Sequence, residues 1–106
     1  MDKKHLGEFE ELVLLTVAAL QGEGYGVSVC QEIGARTDRT VQLSAVHIAL
    51  YRLQEKGLVN SHVGGATAER GGRSKRIFTI TASGMKALKG IKDVREDLYR
   101  LIPKLA

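Results

Sequence analysis

Two short β-branched runs, Leu58–Val63 and Ile77–Thr81, flank the stretch Ala68-Glu69-Arg70-Gly71-Gly72-Arg73-Ser74-Lys75-Arg76. Runs of this kind on either side of a Gly-rich polar segment predict a β-hairpin. Four cations surround the glycine pair, so the hairpin carries positive charge outward at its tip. Directly before it, Ser44–Lys56 has a helical pattern and stops at Gly57. A helix followed by a hairpin with a basic tip fits few small folds. A cationic tip of this kind suits an anionic polymer that is read along its backbone.

With 106 residues, 43% apolar and 26% charged, the chain is long enough for one domain with a modest core. Its densest apolar run, Leu12–Leu20, is too short to cross a bilayer. Met1-Asp2-Lys3-Lys4-His5 has no apolar secretory segment, which predicts a cytoplasmic protein. The net charge of +4 is unevenly spread. Residues 1–35 hold two cations and six acids, a net of −4. Residues 36–76 hold eight cations and three acids, a net of +5, and residues 77–106 add +3. The basic excess peaks over the helix and hairpin described above.

The first helix is expected from about Glu8 to Gln21, with Glu8, Glu10 and Glu11 in the first turn, where the helix dipole favours anions. Leu12–Leu20 is apolar on nearly every side but Thr16, which predicts burial on more than one face. Gln21-Gly22-Glu23-Gly24 forms a turn. A second helix follows over about Tyr25–Ala35, with Val27, Cys30 and Ile33 on one face. Cys30 is the only cysteine, so no intrachain disulfide forms. It reads as a small core residue, with a redox-sensing thiol as the alternative. Val41-Gln42-Leu43 is expected to pair with the hairpin as a short strand. Ser44 is expected to cap the third helix, and Gly57 to end it.

On that third helix, Val46, Ala49, Leu50 and Leu53 follow the i, i+3, i+4, i+7 spacing of a core face. The opposite side presents Ser44, Ile48, Tyr51 and Glu55, flanked by His47 and Arg52. An exposed isoleucine and tyrosine fit a surface that touches a partner. Ser44, His47, Ile48, Tyr51 and Arg52 are therefore the candidate base-reading residues, with Ile48 suited to a thymine methyl. Arg70, Arg73, Lys75 and Arg76 are the candidate backbone contacts of the hairpin.

Thr81 or Ser83 is placed to cap a fourth helix that runs to about Ile102, before Pro103. Its Ala87, Ile91, Val94, Leu98 and Leu101 recur as a heptad seam, with Leu105 next in register beyond the proline. The expected mate is the same helix, or the first helix, of a second subunit, giving a dimer interface of Leu14, Ile91, Val94, Leu98 and Leu101. The alternative is packing on its own domain alone.

His5, His47 and His62 lie far apart, and no metal-ligand spacing or nucleophile elbow is present. Gly71-Gly72-Arg73-Ser74-Lys75 lacks the order of a phosphate loop and leads into a strand. Neither an enzyme, a metal nor a cofactor is indicated. The fold expected is mainly α with a small hairpin: a winged helix-turn-helix over residues 1–81 and a C-terminal dimerisation helix over 82–106. The function expected is sequence-specific binding of double-stranded DNA. The alternative is a winged helix used only for protein–protein contact.

With the elements placed, residues 6–90 resemble the PadR family of bacterial transcriptional regulators, the shorter PadR-like subgroup in particular. The resemblance lies in Leu6-Gly7-Glu8-Phe9-Glu10-Glu11-Leu12-Val13-Leu14-Leu15, Tyr25-Gly26, Ala49-Leu50-Tyr51-Arg52-Leu53-Gln54-Glu55-Lys56-Gly57-Leu58-Val59, Glu69–Arg76 and Ile80-Thr81-Ala82-Ser83-Gly84. It implies a homodimer on an inverted-repeat operator, with the third helix in the major groove and the wing on the flanking backbone or minor groove. It further implies repression relieved by a small-molecule effector. His47 stands where family members commonly carry tyrosine. The chain also lacks the tryptophan through which some members bind aromatic ligands.

Overall fold

The computed structural model describes residues 5–64 and 75–104. Its elements run α1 (Glu8–Ala19), α2 (Gly26–Arg36), α3 (Leu43–Glu55), β1 (Val59–Gly64), β2 (Lys75–Ile80) and α4 (Ala82–Leu101). The strands form an antiparallel hairpin in which Val59 faces Ile80 and Gly64 faces Lys75. The core lies between α1, α2, α3 and the hairpin. Val46, Ala49, Leu50 and Leu53, the predicted core face of α3, are all buried.

Local chemistry explains the ends of the elements. Lys56 closes α3, and Gly57 follows in the left-handed region at φ 76°, which favours glycine. The Gly57 N–H donates to the Gln54 carbonyl and the Leu58 N–H to the Leu53 carbonyl, both at 3.0 Å. This paired closure, with Leu53 and Leu58 wholly buried beside it, is a Schellman motif. It turns the chain from α3 directly into β1. At the start of α4, the Thr81 hydroxyl accepts from the Gly84 N–H at 3.0 Å and donates to the Gly57 carbonyl at 2.8 Å. One side chain thus caps a helix and ties it to the preceding turn.

Four sequence expectations are corrected. Val41-Gln42-Leu43 is not a strand; Leu43 already opens α3. The hairpin instead bridges to Gly24, between α1 and α2, where the Phe78 N–H donates to the Gly24 carbonyl at 2.7 Å. The backbone comes so close there that a Cβ on Gly24 would stand 3.4 Å from the Phe78 carbonyl oxygen. Ser44 is not the N-cap of α3: Gln42 holds that position, without a side-chain cap, and Ser44 lies within the first turn. On α2 the core face is Gly26, Val29 and Ile33, whereas Val27 is 44% exposed and Cys30 is half-buried, its thiol 3.3 Å from the Val41 carbonyl. Leu14 is wholly buried in the protein's own core with Val13 and Val17, so it cannot meet a second subunit. Leu15, one residue and about 100° further round the helix, is the exposed leucine of α1.

Only Gly84 and Leu88 of α4 are buried, and every residue from Lys92 to Leu101 is exposed. The helix leaves the core after two turns. It is joined to α1 by an Arg95–Glu11 ion pair at 2.7 Å. Its approach depends on Gly84, where an added Cβ would lie 2.3 Å from the Leu58 carbonyl oxygen and 2.6 Å from Ile80 Cγ1. The carbonyl belongs to the backbone and cannot swing aside. Gly84→Ala should therefore lower stability by about 1–3 kcal/mol, as overpacking does. Urea unfolding is the measurement; an unchanged midpoint would show that α4 does not need this close approach.

Candidate nucleic-acid interface

The burial of one side of α3 leaves Ser44, His47, Ile48, Tyr51 and Arg52 exposed on the other. Ile48 is 54% exposed and Tyr51 49%. Tyr51 is not free to swing: its ring stands edge-on to Phe78, centroids 5.9 Å apart and planes at 80°. Phe78 is itself wholly packed in the hairpin. The imidazole of His47 lies against Gly26 at the start of α2. Two of the five candidate base-reading side chains are thus fixed by contacts with other elements.

The base of the hairpin is joined to the same face. Arg76 Nη1 donates to Ser61 Oγ at 3.0 Å, and that hydroxyl donates to Gln54 Oε1 at 3.1 Å. The relay runs from β2 across β1 to the end of α3, and it orients the guanidinium. On the neighbouring position of β2, Lys75 Nζ sits 3.9 Å above the Tyr25 ring centroid, a cation–π contact. Arg70 and Arg73 lie outside the described residues.

The other cations behave differently. Arg36, Arg39, Lys56, Lys89, Lys92, Arg95 and Arg100 each pair with a carboxylate, from Glu32, Glu8, Glu10, Asp93, Glu96, Glu11 and Asp97 respectively. A side-chain hydrogen bond that it donates to the Glu8 carboxylate holds the Arg39 guanidinium above its ordinary pKa. Asp93 does the same for the Lys89 ammonium and Glu11 for Arg95. Lys56 is the most enclosed of the set; it donates to Glu10 at 2.5 Å and to the His5 carbonyl at 2.8 Å, pinning the chain ahead of α1 to the end of α3. In contrast, Arg52, Lys75 and Arg76 form no ion pair with any described residue. Lys86 and Lys104, on and after α4, are the other two described cations without one. Acids therefore pair with four of the five cations of α4, while Arg52 on α3 and Lys75 and Arg76 on the hairpin have no acidic partner among the described residues.

Sequence reasoning did not find the Ser61–Gln54 link or the Tyr25–Lys75 contact. The register Ser61↔Phe78 and Val63↔Arg76 places Ser61 diagonally beside Arg76, but the first link reaches Gln54 on α3, which the register does not place. The second joins residues far apart in sequence and had no local signal. Among the described residues, no group of His, Cys, Asp and Glu could hold a metal, and no helix is long and apolar enough to cross a membrane.

The model of the transcriptional regulator PadR-like family matches residues 14–90, well over half of the chain. The chain belongs to the PadR-like family. It is accordingly a DNA-binding transcriptional regulator and not an enzyme. Among curated proteins none matches it. Solved structures share its fold. A PadR-like transcription factor from Bacteroides fragilis has a TM-score of 0.74 at 16% identity, over 88% of this chain and 84% of that one. A PadR family regulator from Clostridium difficile has 0.73 at 16%, over 88% and 93%. A PadR-like regulator from Bacillus cereus has 0.69 at 19%, over 92% and 93%. At these identities the likeness establishes the fold, a winged helix with a C-terminal helix.

If Arg76 contacts phosphate, Arg76→Ala should weaken selected and random duplexes by similar factors. The slope of log K against log salt should become shallower by about 1. Arg36→Ala, which removes a cation already paired with Glu32, should leave the slope unchanged. Equal slopes for wild type and Arg76→Ala would remove Arg76 from the interface.

Proposed function

We propose that this PadR-like protein is a homodimeric repressor that binds an inverted-repeat operator, with α3 in the major groove and the hairpin on the flanking backbone or minor groove. The observation that carries the reading is the division of its cations. Those on α3 and the hairpin lack acidic partners among the described residues, beside an exposed Ile48 and Tyr51. Phosphate contacts set register and orientation, while base edges are read by side chains presented in the groove. Ser44, His47, Ile48, Tyr51 and Arg52 are assigned to the bases and Arg70, Arg73, Lys75 and Arg76 to the backbone. A winged helix that served only for protein contact would have no use for unneutralised charge there.

The dimer reading rests on α4. Val94 and Leu98 are each 58% exposed and Leu101 77%. With the half-buried Ile91 they form one stripe along a helix of 20 residues, about 30 Å long. A monomer gains nothing from such a stripe in water; a two-fold pair buries it on both copies. Leu15 of α1 joins the exposed apolar surface in place of Leu14. Residues 82–106 then act as the pairing helix of a reading unit that ends near Thr81, with Leu88 fastening one to the other. Repression requires only that the bound dimer occlude its operator. The effector implied by the family resemblance has a suitable seat in a groove of about 760 Å³ between α1 and α4, lined by Leu15, Ala18, Met85, Leu88 and Tyr99.

Burying one leucine contributes about 1.5–3 kcal/mol, and two-fold symmetry counts it twice. Leu98→Asp should therefore yield monomers in sedimentation. Most of the affinity for an inverted repeat should vanish with the dimer, although every DNA-facing residue remains. Monomeric wild type at micromolar concentration, or a mutant that stays dimeric, would rule out this use of α4.

A further inference from the structure

Gly26 opens α2 and is buried, and its missing side chain leaves a flat seat for the ring of His47 from α3. A Cβ built on Gly26 would stand 2.5 Å from Cε1, 2.8 Å from Nε2 and 3.2 Å from Nδ1 of the imidazole. Three ring atoms within that range mean that the ring lies over the Gly26 Cα. No backbone atom stands among the nearest neighbours of that Cβ, in contrast to Gly84 and Gly24. Gly26 also lies outside the left-handed region, so backbone conformation does not demand glycine there. Alanine is moreover the better helix former. What glycine supplies is space for the imidazole.

We infer that Gly26 is a specificity-determining positioning residue: by seating the His47 ring, it sets the direction in which α3 presents that side chain to a base edge. The inference rests on His47 belonging to the reading face. A histidine on a helix flank has several staggered rotamers open to it. A seat that favours one of them pre-orders its nitrogens before DNA arrives, so less rotamer freedom is lost on binding. Because the ring is the movable end of a side chain, Gly26→Ala displaces the ring and not the fold. That separates Gly26 from a merely structural glycine, whose replacement would lower stability and weaken binding to every sequence alike.

The test uses the full chain and binding-site selection from random duplexes. Wild type, Gly26→Ala, His47→Ala and the double variant are then compared on the selected site and on random DNA. Nuclear Overhauser contacts between the His47 ring protons and the Gly26 α protons report the seat without DNA. In wild type these contacts are expected, and in Gly26→Ala the ring resonances should shift while thermal unfolding stays unchanged. Gly26→Ala should lose about ten-fold in preference for the selected site over random DNA, within the range of one base contact. Its affinity for random DNA should hold. In the His47→Ala background, Gly26→Ala should cost nothing more, since the ring through which it acts is gone. Full preference in Gly26→Ala while His47→Ala loses preference would overturn the inference and leave the reading face standing. An equal loss from Gly26→Ala in both backgrounds would overturn it as well, because the effect would not pass through the ring. If neither His47→Ala nor Ile48→Ala altered the selected site, the assignment of the reading face would fall, and the inference with it.

Discussion

Phe78 is the contact on which the arrangement of this protein depends. Its N–H is bonded to the Gly24 carbonyl, between α1 and α2; its neighbour across the hairpin is Ser61; and its ring meets the edge of Tyr51 on α3. One buried residue therefore joins the hairpin to the turn between α1 and α2 and to α3. Phenylalanine suits the position because it buries a large apolar area and has no polar atom that needs a partner. Through it, burial in the core fixes where the hairpin stands relative to the exposed side of α3. The Arg76–Ser61–Gln54 relay adds a polar link along the same junction, nearer the surface.

Charge is organised around this frame. The seven paired cations lie on α2, the loop after it, the α3 terminus and α4, where exposed ion pairs contribute little to stability but cancel the local field. Five described cations keep their charge: Arg52, Lys75 and Arg76 on α3 and the hairpin, and Lys86 and Lys104 on and after α4. On the proposed reading, a duplex is drawn to the face that carries Ile48 and Tyr51. The surfaces proposed for DNA and for a second copy are different, so neither obstructs the other.

What could be read from the sequence followed from physical range. The core face of α3, the end of that helix at Gly57 and the cap at Thr81 depend on residues within a turn or two, and all three were legible. The hairpin was legible because a glycine-rich tip between β-branched runs has few other uses. Two of the errors came where the decisive partner was distant. The strand expected at Val41–Leu43 gave way to Gly24, whose role depends on an approach to Phe78 that no local pattern encodes. Leu14 was placed at an interface because α1 is apolar on nearly every side; only the packed core shows that Leu14 is used inside while Leu15 is left outside. The seat of His47 on Gly26 was hidden for the same reason.

On the proposed reading, the outer side of α3 and the base of the hairpin meet DNA while α4 does not. Amide chemical-shift mapping during titration with a duplex selected by the protein tests it most directly. The largest shifts are expected at Ser44, His47, Ile48, Tyr51, Arg52, Lys75 and Arg76, with Val94, Leu98 and Leu101 unmoved. Shifts concentrated on α4, with α3 silent, would contradict it.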